Sequence, residues 1–455
     1  MRRLSGINRT PTFLLSRRSL MTVSLAVSLA LAGCSDSDDE VDSPTESEAE
    51  LVLRAQGIHE RVITIDTHDD ISASNFTAES NYSMDLSTQV TLGNMEEGGL
   101  DVAWFVAYVG QGELDEEGYA AANAEAIAKF EGIHRLVEEY APERIELALT
   151  SDDVRRISES GKKVAMIGVE NSYQLGLDLN NIEDFYNRGA RYMSLTHNGH
   201  NQFGDSHTGE AEEDFVNDGL SALGVQAIDE MNRLGIIVDI SHPGKQTNLQ
   251  AIEQSRAPVI ASHSAARALV DISRNIDDEQ LLAMAAKGGV VQTVAFRSYL
   301  DADKNTAWQE ASQVVLAEVA EQEGFEIKPW SEVFAGTPEE ISAYRDGYAA
   351  LQETAAPRIA AEVNPITPPV DVADLIDHVD YMVELIGVEH VGISSDFEGG
   401  GGVEGWNNAA ETFNVTLELV RRGYTEDEIG MIWGGNLLRV LDEAQAVAAQ
   451  IQAEV

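Results

Sequence analysis

The sequence predicts an α/β fold: a (β/α)8 TIM-type barrel with a helical insertion between its seventh and eighth strands. Three observations carry this expectation. Eight short β-like runs recur along the chain, at 62–65, 101–108, 164–169, 191–195, 236–240, 258–261, 289–295 and 390–393. Most are continuous runs of Val, Ile, Leu, Met and Ala, which signals burial on both faces, as in a parallel sheet covered by helices. Helical stretches separate them, for example 119–140, 219–234 and 277–287, and strand–helix units in series close into a barrel. A doubly wound open sheet is the alternative, but no Gly-rich dinucleotide fingerprint follows any run.

With 455 residues, 43% of them hydrophobic, the chain has ample material for one large core. Its formal net charge of -48 repels nucleic acid and excludes a polyanion partner. Only seven residues are Lys, a balance that fits either a salty habitat or an ordinary acidic soluble protein. Residues 1–33 read as a signal peptide. Arg2, Arg3, Arg9, Arg17 and Arg18 form a basic start, and the apolar stretch 20–32 is too short for a comfortable membrane span. Leu31-Ala32-Gly33-Cys34 resembles the lipobox of bacterial lipoproteins, which implies a lipidated Cys34 anchored in the cell envelope, on the outer membrane facing the periplasm. Cys34 is the sole cysteine, so the mature chain has no internal disulfide. Residues 34–50 read as an acidic disordered tether, and 51–455 as the barrel domain.

About 95 residues separate the last two runs. We read 299–369 as a mostly helical insertion on the βα-loop side, either a lid or an excursion away from the site. Near the C-terminus, Thr425 and Glu428 have capping-box spacing, and Gly434-Gly435 is expected to interrupt the helix before 436–449.

Chemistry-bearing residues gather at the ends of the runs. The first ends in Asp66-Thr67-His68-Asp69-Asp70, the third in Glu170, the fourth in His197, the fifth in His242, the sixth in His263 and the eighth in Asp396. A barrel brings those ends to one rim, where active sites lie. Imidazole and carboxylate without Cys suit zinc or a similar divalent ion. His68 and Asp70 share a face of an extended strand, and a carboxylate such as Glu170 has two oxygens with which to bridge two ions. Metal-assisted hydrolysis is the implied reaction class. His200 and His207 read as loop residues, and 399–402 as a flexible turn.

These segments, with Leu195-Thr196-His197-Asn198, Ser262-His263-Ser264-Ala265, Ser273-Arg274-Asn275, Ser395-Asp396-Phe397 and the stretch 435–440, resemble the membrane dipeptidase (renal dipeptidase) family over about 55–441. The resemblance implies a zinc-hydrolase barrel that cleaves dipeptides, tolerates a D-residue at the C-terminal position, and uses a metal-bridging hydroxide as nucleophile. It implies two Zn²⁺: His68 and Asp70 hold one, His242 and His263 the other, and Glu170 bridges them. Asp396 is then the catalytic acid/base, His197 the stabiliser of the carbonyl oxygen, and Arg274 the partner of the substrate carboxylate. A homodimer is plausible from the same resemblance. Two features depart from the family: Asp69 stands where Asn is usual, adding negative charge near the ions, and the segment before the eighth run is longer. Another amidohydrolase, acting on N-acyl amino acids, β-lactams or lactones, and a catalytically silent barrel lipoprotein are the competing readings.

Overall fold

The structure, a computed structural model, describes residues 46–210 and 213–454. Its strands are β1 Ile65–Asp70, β2 Val102–Tyr108, β3 Ile145–Leu147, β4 Lys163–Glu170, β5 Ala190–Ser194, β6 Ile237–Asp239, β7 Ile260–Ser264, β8 Val290–Val294 and β9 Val391–Ser394. Eight of them pair in the order β1-β2-β4-β5-β6-β7-β8-β9, and β3 adds to β4 off this path. Every ladder is parallel. The ring closes between β1 and β9. Asp70 N donates to Phe397 O at 2.9 Å, Thr67 Oγ1 donates to Ile393 O at 3.0 Å, and Ser395 N donates to Asp66 Oδ1 at 2.8 Å. This is the expected (β/α)8 barrel.

Alternation along the strands separates two apolar layers. Val102, Trp104 and Val106 of β2 share a cluster with Val164 and Met166 of β4 and Tyr192 of β5, inside the barrel. Ala103, Phe105 and Ala107 face outward to the helices. The helix Asn436–Ala453 adds Leu437, Leu438 and Leu441 to the interior cluster. Register shifts between Asp66 and Asp69 in β1, and between Ala261 and Ser264 in β7, break the strict two-residue period. Ile65 and Ile260 face the interior, and the shifts turn His68 and His263, three residues on, to the same side, where both approach Glu170.

Several boundaries differ from those expected. The first strand lies at Ile65–Asp70, not 62–65, because its inward side chains are polar and the apolar run only leads into it. The sixth run, 258–261, similarly becomes β7 at Ile260–Ser264. β3 is too short to register as an apolar run. The tether cannot extend to 50. Ser47 caps a helix over Glu48–His59, with Ser47 Oγ accepting from Glu50 N and Glu50 returning a bond to Ser47 N. Gly434-Gly435 does not interrupt the chain's last helix: a wide π-turn over Met431–Gly435 runs straight into it. Thr425 caps Glu426–Gly430 as its spacing predicts. The signal peptide, Cys34 and most of the tether lie outside the described residues. No described helix is long and apolar enough to cross a membrane.

The insertion is helical, with Ala302–Glu323, Trp330–Val333 and Pro338–Arg358. Val315, Leu316, Val319, Leu351, Ala355 and Val363 form its own small core. Of the expected insertion 299–369, Tyr299 lines the central cavity, whereas among the described residues none from 300–369 does.

Candidate metal centre and active site

The cavity at the C-terminal ends of the strands has a volume of about 450 Å³. Asp70, Glu170, His197, His242, His263, Arg274 and Asp396 all line it, so the residues expected at one rim do meet there. Glu170 sits at the centre. Its Oε1 lies 2.9 Å from His242 Nε2 and 3.3 Å from His263 Nε2, and its Oε2 lies 3.6 Å from His68 Nε2. His68 Nε2 is also 3.9 Å from Asp70 Oδ2 and 4.0 Å from Asp396 Oδ1. Three sets are compact enough to share an ion: His68 with Asp70 and Glu170, Glu170 with His242 and His263, and His68 with His263 and Asp396.

Outer partners fix how each imidazole is turned. Tyr192 Oη donates to Thr67 O at 3.1 Å and accepts from His68 Nδ1 at 3.0 Å. Ser262 Oγ donates to Asp239 Oδ2 at 2.7 Å and accepts from His263 Nδ1 at 2.7 Å. Asn198 Oδ1 accepts from His242 Nδ1 at 3.0 Å. A ring whose Nδ1 donates outward carries its lone pair on Nε2. The three Nε2 atoms therefore point lone pairs at the centre, and those of His242 and His263 are 3.0 Å apart. Two lone pairs at that distance repel unless a cation lies between them. His68 Nε2, Asp70 Oδ1 and Glu170 Oε1 are buried without a hydrogen-bond partner, which buried polar atoms seldom are. The donor set fits divalent metal ions.

The electrostatics agree. Burial, then Arg274, holds His242 well below the usual imidazole value; burial, then His68 and Arg274, does the same to His263. Both rings are neutral and can ligate. Burial works to raise Glu170, but His68, His197 and His242 together hold it well below the carboxylate range. Burial opposes charge on His68, yet Glu170, Asp70 and Asp396 push it up to about 9. The carboxylates demand positive charge at that point, and a metal ion supplies more of it than a proton. Burial raises Asp70 to about 6 and Asp396 well above the ordinary range.

Two of these residues sit on left-handed backbone: φ is 77° at His242 and 58° at Asp396. Non-glycine residues adopt that conformation at a cost, and it recurs where side chains must be aimed. Gly399 lies against both Asp70 and Asp396, where any Cβ would collide with the two carboxylates. The segment 399–402 begins in a turn, as expected, and its first residue lines the site.

His197 stacks near Tyr108 with ring centroids 4.6 Å apart, and burial, partly offset by Glu170, keeps it below its ordinary value. Arg274 is 5% exposed. Its guanidinium donates to His263 O at 2.9 Å and Ser264 Oγ at 3.1 Å and lies 5.5 Å from the Tyr299 ring centroid. His207 is more than a loop residue: its Nε2 lies 2.9 Å from Asn198 Oδ1, the atom that orients His242. His200 stays in its loop, accepting from Ser206 N at 3.1 Å. Asp69 is fully buried, and burial followed by the neighbouring Asp66 pushes its carboxyl well above the usual range.

The reading of the residues missed Tyr108, Tyr192, Tyr299 and Lys129. Lys129 left a usable signal. In the helix Glu116–Arg135 the buried positions include Ala122, Ala126, Lys129, Phe130 and Ile133, so the lysine falls on the apolar stripe.

A parallel barrel whose strand ends present histidines and carboxylates around one central glutamate defines a metal-dependent hydrolase of the α/β-barrel class. The chain belongs to the membrane dipeptidase family, peptidase family M19, whose description it matches over residues 52–455. It is 28% identical to the dipeptidase tcpJ of Claviceps purpurea (strain 20.1) over 370 residues, covering 80% of this chain and 71% of that protein. It is 26% identical to the dipeptidase ataJ of Aspergillus terreus, covering 89% of this chain and 90% of that one. The structure resembles that of the probable dipeptidase PvdM from Pseudomonas aeruginosa, with a TM-score of 0.71, 29% identity, and coverage of 88% of this chain and 99% of that one. The fold is shared with a Rhodobacter sphaeroides metallo peptidase liganded with a phosphinate mimic of the dipeptide L-Ala-D-Ala, at a TM-score of 0.62 and 19% identity, covering 84% of this chain and 99% of that one.

Proposed function

We propose that the chain is a two-zinc dipeptidase that hydrolyses the peptide bond of free dipeptides and accepts a D-residue at the C-terminal position. The observation that carries this reading is the convergence of three inward Nε2 atoms on Glu170 in a cavity that also holds the buried guanidinium of Arg274. His68, Asp70 and Glu170 would hold one ion, and Glu170, His242 and His263 the other. Bound there, the ions supply Lewis acidity, polarising the substrate carbonyl and making water a nucleophile near neutral pH.

The chain's own groups do the rest. Asp396, raised by burial, takes a proton from the attacking water and returns it to the departing amine, since an acid/base is most effective when its pKa nears the working pH. Neutral His197 donates a hydrogen bond to the carbonyl oxygen as charge develops on it. Arg274 pairs its planar fork with the substrate's free carboxylate. That requirement separates a dipeptidase from an amidohydrolase acting on lactones. A lipid anchor at Cys34 in a bacterial envelope remains our reading of Leu31-Ala32-Gly33-Cys34, and release of a Cys34→Ser variant from membranes tests it.

The deciding experiment pairs metal analysis with a substrate panel. Purified protein should carry close to two zinc equivalents and cleave L,L- and L,D-dipeptides but not N-acetylated ones. Amidating the substrate's C-terminus should lower kcat/KM by roughly ten- to a hundredfold in the wild type and little further in Arg274→Ala, because both changes remove one charge-assisted pair. Equal cleavage of dipeptides and their amides would move the broader amidohydrolase reading to first place.

A further inference from the structure

We infer that Lys129 reads the side chain of the substrate's first residue, and that the site prefers dipeptides beginning with Asp or Glu. The inference rests on the dipeptidase reading above. Among the described residues that line the cavity, two have side chains that are cationic when protonated at neutral pH by their ordinary chemistry, Arg274 and Lys129. They belong to opposite sides of the barrel. Arg274 is fastened to the end of β7 through His263 O and Ser264 Oγ, and Lys129 Nζ to the end of β2 through Tyr108 O at 2.5 Å. In the closed order β1-β2-β4-β5-β6-β7-β8-β9, three strands separate β2 from β7 in either direction. The Glu170 carboxylate lies on β4, between them.

A dipeptide that places its terminal carboxylate on Arg274 and its scissile carbonyl above Glu170 directs its first residue toward β2. There it meets the ammonium of Lys129, a residue that is 7% exposed. Lys129 Nζ has three donors, and Tyr108 O takes one of them. No carboxylate among the described residues forms an ion pair with Nζ within 4.0 Å; the nearby charges of Asp70, Glu125 and Glu170 act on it from further away. A largely desolvated ammonium with unused donors on a cavity wall is a carboxylate subsite, and a side-chain carboxylate of the first residue is the substrate group with the reach to fill it. The bland alternative is that Lys129 merely balances the charge of the acidic centre. That role would act on every dipeptide alike.

The test compares Glu-Ala with its isosteric neutral analogue Gln-Ala, with Ala-Ala as reference, on metal-loaded enzyme. Wild type should favour Glu-Ala over Gln-Ala in kcat/KM by about ten- to a hundredfold, the range of a charge-assisted hydrogen bond. In Lys129→Met that ratio should collapse to near unity, whatever the absolute rates, while Lys129→Arg should keep most of it. A wild-type ratio near one with Ala-Ala readily cleaved overturns this inference and leaves the dipeptidase reading standing. A ratio that persists in Lys129→Met overturns it as well. Cleavage of no dipeptide at all removes the reading beneath it. If Lys129→Met fails to fold, the wild-type ratio and Lys129→Arg still decide.

Discussion

Along β1, Asp66, Thr67, His68 and Asp69 are each at most 1% exposed although none is apolar, whereas the inserted helices bury Val315, Leu316, Val319 and Leu351 and leave Trp330 and Phe334 42% and 55% exposed. The rim is ordered by directional bonds: each of the three inward-facing imidazoles has one outer partner. The insertion is ordered by apolar area between two long helices, with an aromatic group at its surface in which Trp330 lies 5.6 Å from Phe334 and 5.7 Å from Tyr344. Order of the first kind depends on single atoms. Order of the second kind depends on how much surface is removed from water and degrades gradually.

That contrast can be broken most severely at its centre. Glu170→Ala should deplete both ions, since its two oxygens face different histidines, and should lower activity by more than the roughly 10–100-fold that loss of an outer partner costs. Loss of one zinc equivalent with the other retained would show that Glu170 does not bridge. In the insertion, Leu351→Ala should destabilise locally by about 2–4 kcal/mol through an unfilled cavity. Faster amide exchange confined to 302–363, with zinc content unchanged, is the expected result; a parallel loss of zinc would mean the two regions are coupled.

Tyr192→Phe removes a single oxygen from the rim, freeing His68 Nδ1 of its acceptor. Metal affinity should fall roughly 10–100-fold with little change in thermal stability. Gly168→Ala should reproduce that defect by a different route, because a Cβ there would drive into the Tyr192 ring. The smallest effect belongs to the insertion's surface: Thr337→Ala deletes the cap that accepts from Glu340 N and should cost about 1 kcal/mol of local stability, measurable by exchange in 338–358 and invisible to turnover.

How legible each region was follows from the same physics. Glu170, His197, His242, His263 and Asp396 could be read because each directly follows an apolar strand, and a parallel barrel brings those ends together. The true extent of β1 could not, since Ile65-Asp66-Thr67-His68-Asp69-Asp70 lacks the apolar run by which buried strands are found; its polar side chains find partners far along the chain, Asp66 in Ser395 and His68 in Tyr192. Asp69 shows a related gap: a formal charge counted in sequence does not tell how burial and the neighbouring Asp66 act on the carboxyl, which here raise its pKa. The insertion's helices were plain from composition and length, but whether they cover the cavity depends on packing direction, which no local pattern encodes. Lys129 was hidden in a correctly expected helix, visible only as a charge on the wrong face.

The bonds that close β1 onto β9 have a temporal consequence. Thr67 and Ile393 are 326 residues apart in sequence. At a ribosomal rate of 5–20 residues per second, roughly 16–65 s pass between the synthesis of the two. Throughout that interval β1, with its buried row of polar side chains, has no final strand to pair with. His68 and Asp70 are among the first barrel residues made and Asp396 among the last, so no nascent fragment holds the complete set of site residues. The five residues that would hold the ions are all made by His263, so a growing chain carries that whole set well before the acid/base Asp396 that would use it.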